Sequence, residues 1–278
     1  MGDGDSISAG SIVADRYRVV SALARGSSGD VYLARDLLDD TDVAIKVLRA
    51  EFIADDGMRR RFRREAAVLK ALTCPSIVRL LDVEFGRGGR VFLVTEFVEG
   101  PTVADRIATS PLDVAEATVL VSAMADALGA AHEHGVLHGD LKPANILWSE
   151  TGPRLIDFSA SKILGLDRLT ATGEVSGTPA YMAPEVLTGK GDIDARIDVY
   201  GLGVALFEAL SGQHPFRDSH IGRLLMKIDA GDRMPLDALV AVPARIAEVV
   251  HRAMSRMPTD RYDSVDDMKT AWDRAVDP

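Results

Sequence analysis

Apolar and polar positions alternate with the period of a strand through most of the first hundred residues. "RYRVVSALA" (16–24), "DVYLARD" (30–36), "DVAIKVL" (42–48) and "RVFLVTEF" (90–97) are rich in β-branched residues and are separated by Gly, Asp and Arg turns. They predict strands. One helical pattern interrupts them at 55–72, where Phe62, Ala66, Leu69 and Leu72 recur at helical spacing. "EGPT" (99–102) reads as a hinge-like break. Beyond it the period changes, and helices are expected over 113–134, 198–211, 220–229, 244–255 and 264–275. The stretch 150–190, rich in Gly, Ser and Thr, reads as a long ordered loop of the kind that usually serves function. The pattern predicts an α+β chain: a flexible leader (1–15), a small β-rich lobe (16–97) and a larger α-rich lobe (98–278).

The chain has 278 residues, 47% hydrophobic and 27% charged, ample for a core. Its net charge of −10, from 42 acidic against 32 basic residues, argues against nucleic acid as a main partner. A basic cluster, "MRRRFRRE" (58–65), survives inside that acidic total. With one cysteine, Cys74, no intrachain disulfide can form, which suits a reducing cytosol. The most apolar stretches, around 114–131 and 199–210, are broken by Glu116, Asp126 and Glu208, so no membrane segment is expected. "MGDGDSISAG" is acidic, unlike a signal peptide, and a cytoplasmic location is expected.

Candidate chemistry begins at "LARGSSGDVYLA" (23–34), a strand, Gly26, Gly29 and a strand again. Such a hairpin tip can lay backbone N–H groups over phosphates, because glycine puts no Cβ in the way; it can also be a plain turn. In "VAIK" (43–46), Lys46 lies inside an apolar strand and must find an anion or leave the core. Glu65, on the expected helix, is the natural partner.

The order of these features, followed by "HGDLKPAN" (138–145), "DFS" (157–159) and "APE" (183–185), resembles the eukaryotic-type protein kinases, in particular the bacterial serine/threonine kinases. The resemblance spans about residues 16 to 273. It implies a two-lobed fold, an antiparallel sheet lobe with one key helix and a helical lobe, and an enzyme that uses ATP and Mg²⁺ (or Mn²⁺) to phosphorylate protein Ser/Thr hydroxyls. It also implies the site. Gly26 and Gly29 would cover the phosphates, and Lys46, paired with Glu65, would hold the α and β phosphates. Asp140 would accept or orient the substrate hydroxyl, Lys142 would neutralise the moving phosphoryl group, and Asn145 and Asp157 would hold the metal. Adenine would lie between Leu23, Val31 and Ala44 on one side and Leu147 on the other, with hinge contacts from the backbone of Glu96 and Val98 and with Thr95 as gatekeeper. Glu185 would pair with Arg261, and Asp198 would cap the catalytic loop's backbone. Thr170 and Thr172, in "LTAT", stand where related kinases autophosphorylate; solvated loop hydroxyls are the plainer reading. A homodimer through the small lobe is also open.

This chain departs from the family's pattern at Ala24 (a usual loop glycine), Gly139 (a usual arginine before the catalytic aspartate) and Ser159 (a usual glycine after Asp-Phe). Without an arginine at 139, a phosphate in the 150–190 loop loses its usual anchor, so activity without loop phosphorylation is expected. The departures keep a nucleotide-binding scaffold open as an alternative. "HGD" with an asparagine five residues on is also found in aminoglycoside-type small-molecule kinases; Lys142 and "APE" favour protein kinases. "RLLMKI" (223–228) fits either a docking face or core packing.

Overall fold

The computed structural model describes residues 7–26, 29–48, 66–86, 90–158, 179–189 and 192–277. The chain forms two compact units: one reaches to Val98, and the other runs from Glu99 onward and takes in Cys74–Ile77.

The first unit is a six-stranded antiparallel sheet in the order β1-β2-β3-β4-β6-β5. Its strands are β1 Ile12–Val13, β2 Tyr17–Gly26, β3 Gly29–Asp36, β4 Thr41–Leu48, β5 Leu80–Phe85 and β6 Val91–Glu96. Strand alternation puts Tyr17, Val19, Tyr32, Val43, Ile45 and Val94 on one face, where they form a buried apolar cluster. Arg16 clamps the β2–β3 end through Asp36, at 2.9 and 2.6 Å. That hydrogen-bonded guanidinium holds the Asp36 carboxyl below its ordinary pKa.

The sheet starts inside the stretch expected as a leader. Ile12 and Val13 pair with Arg18 and Tyr17, and Val13 is buried, because the alternating pattern carries back past residue 16. Strand β5 is absent from the sequence expectation, although "LLDVEF" alternates apolar and acidic from Leu81 to Phe85; it is an edge strand, and its acidic residues suit that place. Of the expected 55–72 helix, residues 66–71 are helical, with Ala66 and Leu69 buried; Leu72, also buried, follows the helix, and 55–65 lie outside the described residues.

The second unit is mostly helical, with α1 Val103–Thr109, α2 Val114–Glu133, α3 Pro184–Thr188, α4 Arg196–Ser211, α5 Ile221–Ala230, α6 Ala244–Ala253 and α7 Val265–Val276. A two-stranded ribbon, β7 Ile146–Ser149 and β8 Gly152–Leu155, replaces the first part of the expected 150–190 loop. The "EGPT" break is followed at once by α1, whose Thr102 and Asp105 form a capping box; Asp113 and Glu116 do the same for α2. Helix α4 is buried almost all round, and α2 packs against α7, α4 and β8. By length and composition α2 could also cross a membrane, but Leu120, Met124 and Leu128 are fully buried in the protein core.

Candidate active site

The first unit presents its candidate residues on the sheet face opposite the buried cluster. Cross-strand pairs share a face, and β4 pairs Lys46 with Val31 and Leu93, and Ala44 with Leu33 and Thr95. Val31, Ala44, Lys46 and Thr95 therefore line one half-buried surface. Leu23 falls at a register shift between Ala22 and Ala24 and is 46% exposed, so a bulge turns it out of the alternating order. Gly26 and Gly29 form the terminal pair of the β2–β3 hairpin. A Cβ on Gly29 would lie 2.1 Å from the Val47 carbonyl oxygen, so close strand approach as well as conformation demands glycine there. Ala24, paired with Val31, sits in ordinary strand structure. Glu96 donates its N–H to the Arg79 carbonyl at 3.0 Å, which commits that hinge group within the unit. Val98 follows the strand and is half-buried.

In the second unit the 138–145 loop gathers the candidate catalytic groups. Lys142 Nζ donates to Asp140 Oδ2 at 2.7 Å. Asn145 Nδ2 donates to the Asp140 carbonyl at 2.8 Å and to Oδ2 at 3.1 Å. Asp140 Oδ1 is buried and has no donor among the described residues. A carboxylate oxygen held out of water without a donor is a costly arrangement that fits an absent hydroxyl.

The loop is held from a distance. Asp198, at 0% exposure on α4, accepts from the His138 N–H at 2.8 Å, the Gly139 N–H at 2.7 Å and His132 Nε2 at 2.8 Å. Burial pushes the Asp198 carboxyl up, but the His132 hydrogen bond, the two histidines' charge and the Gly139 N–H outweigh it, and its pKa lies below the ordinary value. The expected cap is thus present, and His132 is a member the sequence reading missed. His138 also braces the site: its ring packs edge-on to Phe158 at 5.2 Å, and Nε2 lies 3.3 Å from the Ile156 carbonyl.

Gly139 has φ +72°, while a Cβ there would meet only Ile197 Cδ1 at 3.8 Å. Conformation, not crowding, favours glycine next to Asp140.

Asn145 and Asp157 are neighbours, since the Ile156 N–H donates to the Asn145 carbonyl at 2.9 Å. Asp157 is left-handed, at φ +57°, a strained state for a non-glycine residue of the kind that collects at functional sites. Both Asn145 amide hydrogens point to Asp140, leaving its side-chain oxygen as an acceptor. One amide oxygen and one carboxylate make a sparse, hard donor set. It fits Mg²⁺, which takes few protein ligands and completes its shell with phosphate and water oxygens. Leu147, half-buried on β7, is bridged to Thr102. Glu65, Ser159, Thr170 and Thr172 lie outside the described residues.

Glu185 and Arg261 form the expected buried pair, with two bonds of 2.6 and 2.7 Å. Arg261 also donates to the carbonyls of Ser255, Arg196 and Arg256, so the buried guanidinium is fully engaged.

The comparisons agree with this arrangement. The protein kinase domain family matches residues 17–272. The probable serine/threonine-protein kinase PknB of Lactococcus lactis is 37% identical over 269 residues, covering 95% of this chain and 42% of that protein. Serine/threonine-protein kinase PknB of Mycobacterium leprae is 35% identical over 264 residues, covering 92% and 42%. The chain thus spans less than half the length of these relatives. A crystal structure of the Mycobacterium tuberculosis PknI kinase domain superposes with a TM-score of 0.79 at 31% identity, covering 98% of this chain and 99% of that one. A sheet that sets a lysine beside its hairpin glycines, a caged aspartate and a match along nearly the whole sequence lead to one conclusion: the chain belongs to the protein kinase family.

Proposed function

We propose that the chain is the catalytic domain of a serine/threonine protein kinase that transfers the γ-phosphoryl group of ATP to Ser or Thr hydroxyls of proteins. The observation that carries this reading is Asp140, with Oδ2 tied down by Lys142 and Asn145 and Oδ1 buried and unpartnered among the described residues. A substrate hydroxyl on Oδ1 would be oriented by the carboxylate and would give up its proton as its oxygen bonds to the γ-phosphorus. The bond from that phosphorus to the bridging oxygen breaks, and ADP leaves with the electron pair. Lys142 would offset charge on the moving group, and Lys46 with the Gly26–Gly29 hairpin would hold the other phosphates. A Mg²⁺ or Mn²⁺ ion held by Asn145 and Asp157 would, when bound, neutralise phosphate charge.

Gly139 offers no side chain to a phosphorylated loop, which supports activity without loop phosphorylation. Autophosphorylation would fall on Thr170 or Thr172. A cytoplasmic site of action fits an ATP-dependent reaction and a free Cys74.

The test is intact-mass spectrometry of the purified chain before and after incubation with ATP and Mg²⁺, beside Asp140→Asn, with casein as a second acceptor. Phosphate added to Ser or Thr by the wild type alone is expected. Absence of transfer to the chain and to casein alike would overturn the reading.

A further inference from the structure

Arg79 lies one position before β5 and stands opposite Glu96, the last residue of β6, because Leu80 pairs with Thr95. Opposite residues of an antiparallel ladder exchange either two N–H···O=C bonds or none. This pair makes one of the two: Glu96 donates its N–H to the Arg79 carbonyl at 3.0 Å. The return donor goes elsewhere. The Arg79 N–H is given to Glu96 Oε1, at 2.8 Å, and not to the Glu96 carbonyl. The glutamate side chain therefore stands in for its own backbone at the end of the ladder. The Arg79 side chain is exposed, so it is the backbone amide that makes this link.

We propose that Glu96 is a positioning residue for the nucleotide: its carboxylate occupies the Arg79 N–H and keeps that donor off the Glu96 carbonyl, which is thereby directed to the 6-amino group of a purine. The result is selectivity for a 6-aminopurine over a 6-oxopurine triphosphate. This rests on the kinase reading, in which the Glu96 backbone is a hinge contact of adenine.

Place and chemistry both favour this role. The preceding residue, Thr95, lies on the surface it shares with Ala44, so Glu96 ends β6 at the edge of the candidate base site. Residues 97–99 belong to no helix or strand, so the 96–97 peptide can turn without breaking a sheet bond. A carboxylate accepts a shorter and stronger bond from a backbone N–H than a carbonyl does, which holds Arg79 on the side chain. Adenine presents a donor through its 6-amino group, whereas a 6-oxopurine presents an acceptor, and two acceptors repel. Without the carboxylate, the Arg79 N–H falls back on the carbonyl of position 96, as in an ordinary ladder pair. The 6-amino group then loses its acceptor.

The test measures dissociation constants of ATP and of inosine triphosphate, its 6-oxo counterpart, by calorimetry. Wild type, Glu96→Ala and Glu96→Gln are compared, all checked for unchanged melting behaviour. Wild type is expected to prefer ATP. Glu96→Ala should weaken ATP about 10-fold and bind inosine triphosphate no worse than wild type does. Glu96→Gln, whose amide oxygen accepts from Arg79 as the carboxylate does, should restore most of the preference. Equal weakening of both nucleotides in Glu96→Ala, as a merely structural role would give, overturns the proposal. A wild type that binds the two alike overturns it too. Transfer to casein is scored separately. A wild type that prefers ATP and passes no phosphate to casein sinks the proposed function alone, because the binding comparison still decides the role of Glu96. An active chain whose Glu96→Ala variant keeps the full preference sinks this inference alone.

Discussion

The sheet face of the first unit and the 138–145 loop of the second hold their candidate groups by opposite means. Lys46, Ala44 and Val31 face one way because strand alternation leaves no other choice once Val43, Ile45 and Tyr32 are buried. Asp140 sits in a loop with no such periodicity. Its backbone is held by Asp198, whose bonds to His138 and Gly139 cross 60 and 59 residues of sequence. A lesion in the sheet should therefore act locally, whereas the loop should fail when distant, buried polar groups are removed.

Glu185→Ala is the harshest test of the second half of that statement. It leaves Arg261 buried beside three carbonyls with no anion, and should cost about 4 kcal/mol in urea denaturation. Asp198→Ala strips the loop of its acceptor; a loss of about 3 kcal/mol is expected, together with turnover near background in a casein assay, although no reactive group is touched. Retained turnover in that variant would break the comparison. Two glycines sharpen it. Gly29→Ala forces a Cβ into the Val47 carbonyl and should cost about 2 kcal/mol by parting β3 from β4. Gly139→Ala meets no obstacle and bears only the left-handed conformation, about 1 kcal/mol by the same measurement. If the two cost the same, close approach at Gly29 is not what matters.

The smallest effect is on pH. His214 is buried and neutral, so the unfolded chain takes up its proton near 6.5 and the folded chain only at lower pH. Its contribution is present above 6.5 and is lost as pH falls from there through the folded value. Thermal melts of wild type and His214→Phe should diverge below that pH, with the wild type losing more.

Much of the second unit's site was readable as residue types and order: Asp140, Lys142, Asn145 and the Glu185–Arg261 pair are named by motif. The Asp198 cap was expected as well, but other buried partners were not. His132 looks like any residue near a helix end until α2 and α4 bring it onto Asp198. The Tyr181–Glu208–His214 group joins residues 27 positions apart that no short motif links. At Gly139 the sequence shows only a missing arginine; the positive φ supplies a second, physical reason for the glycine. Strand β5 was missed although Leu81, Asp82, Val83, Glu84 and Phe85 alternate apolar and polar as a half-exposed edge strand does.

Local sequence carries the sheet's two faces, most of the helices and the candidate side chains of the site. Periodicity and motif are local properties, set by backbone geometry over a few residues. The tertiary structure decided which buried polar groups satisfy one another. The His132–Asp198 and Tyr181–Glu208 bonds join segments distant in sequence, and they exist only once the core has brought those segments together.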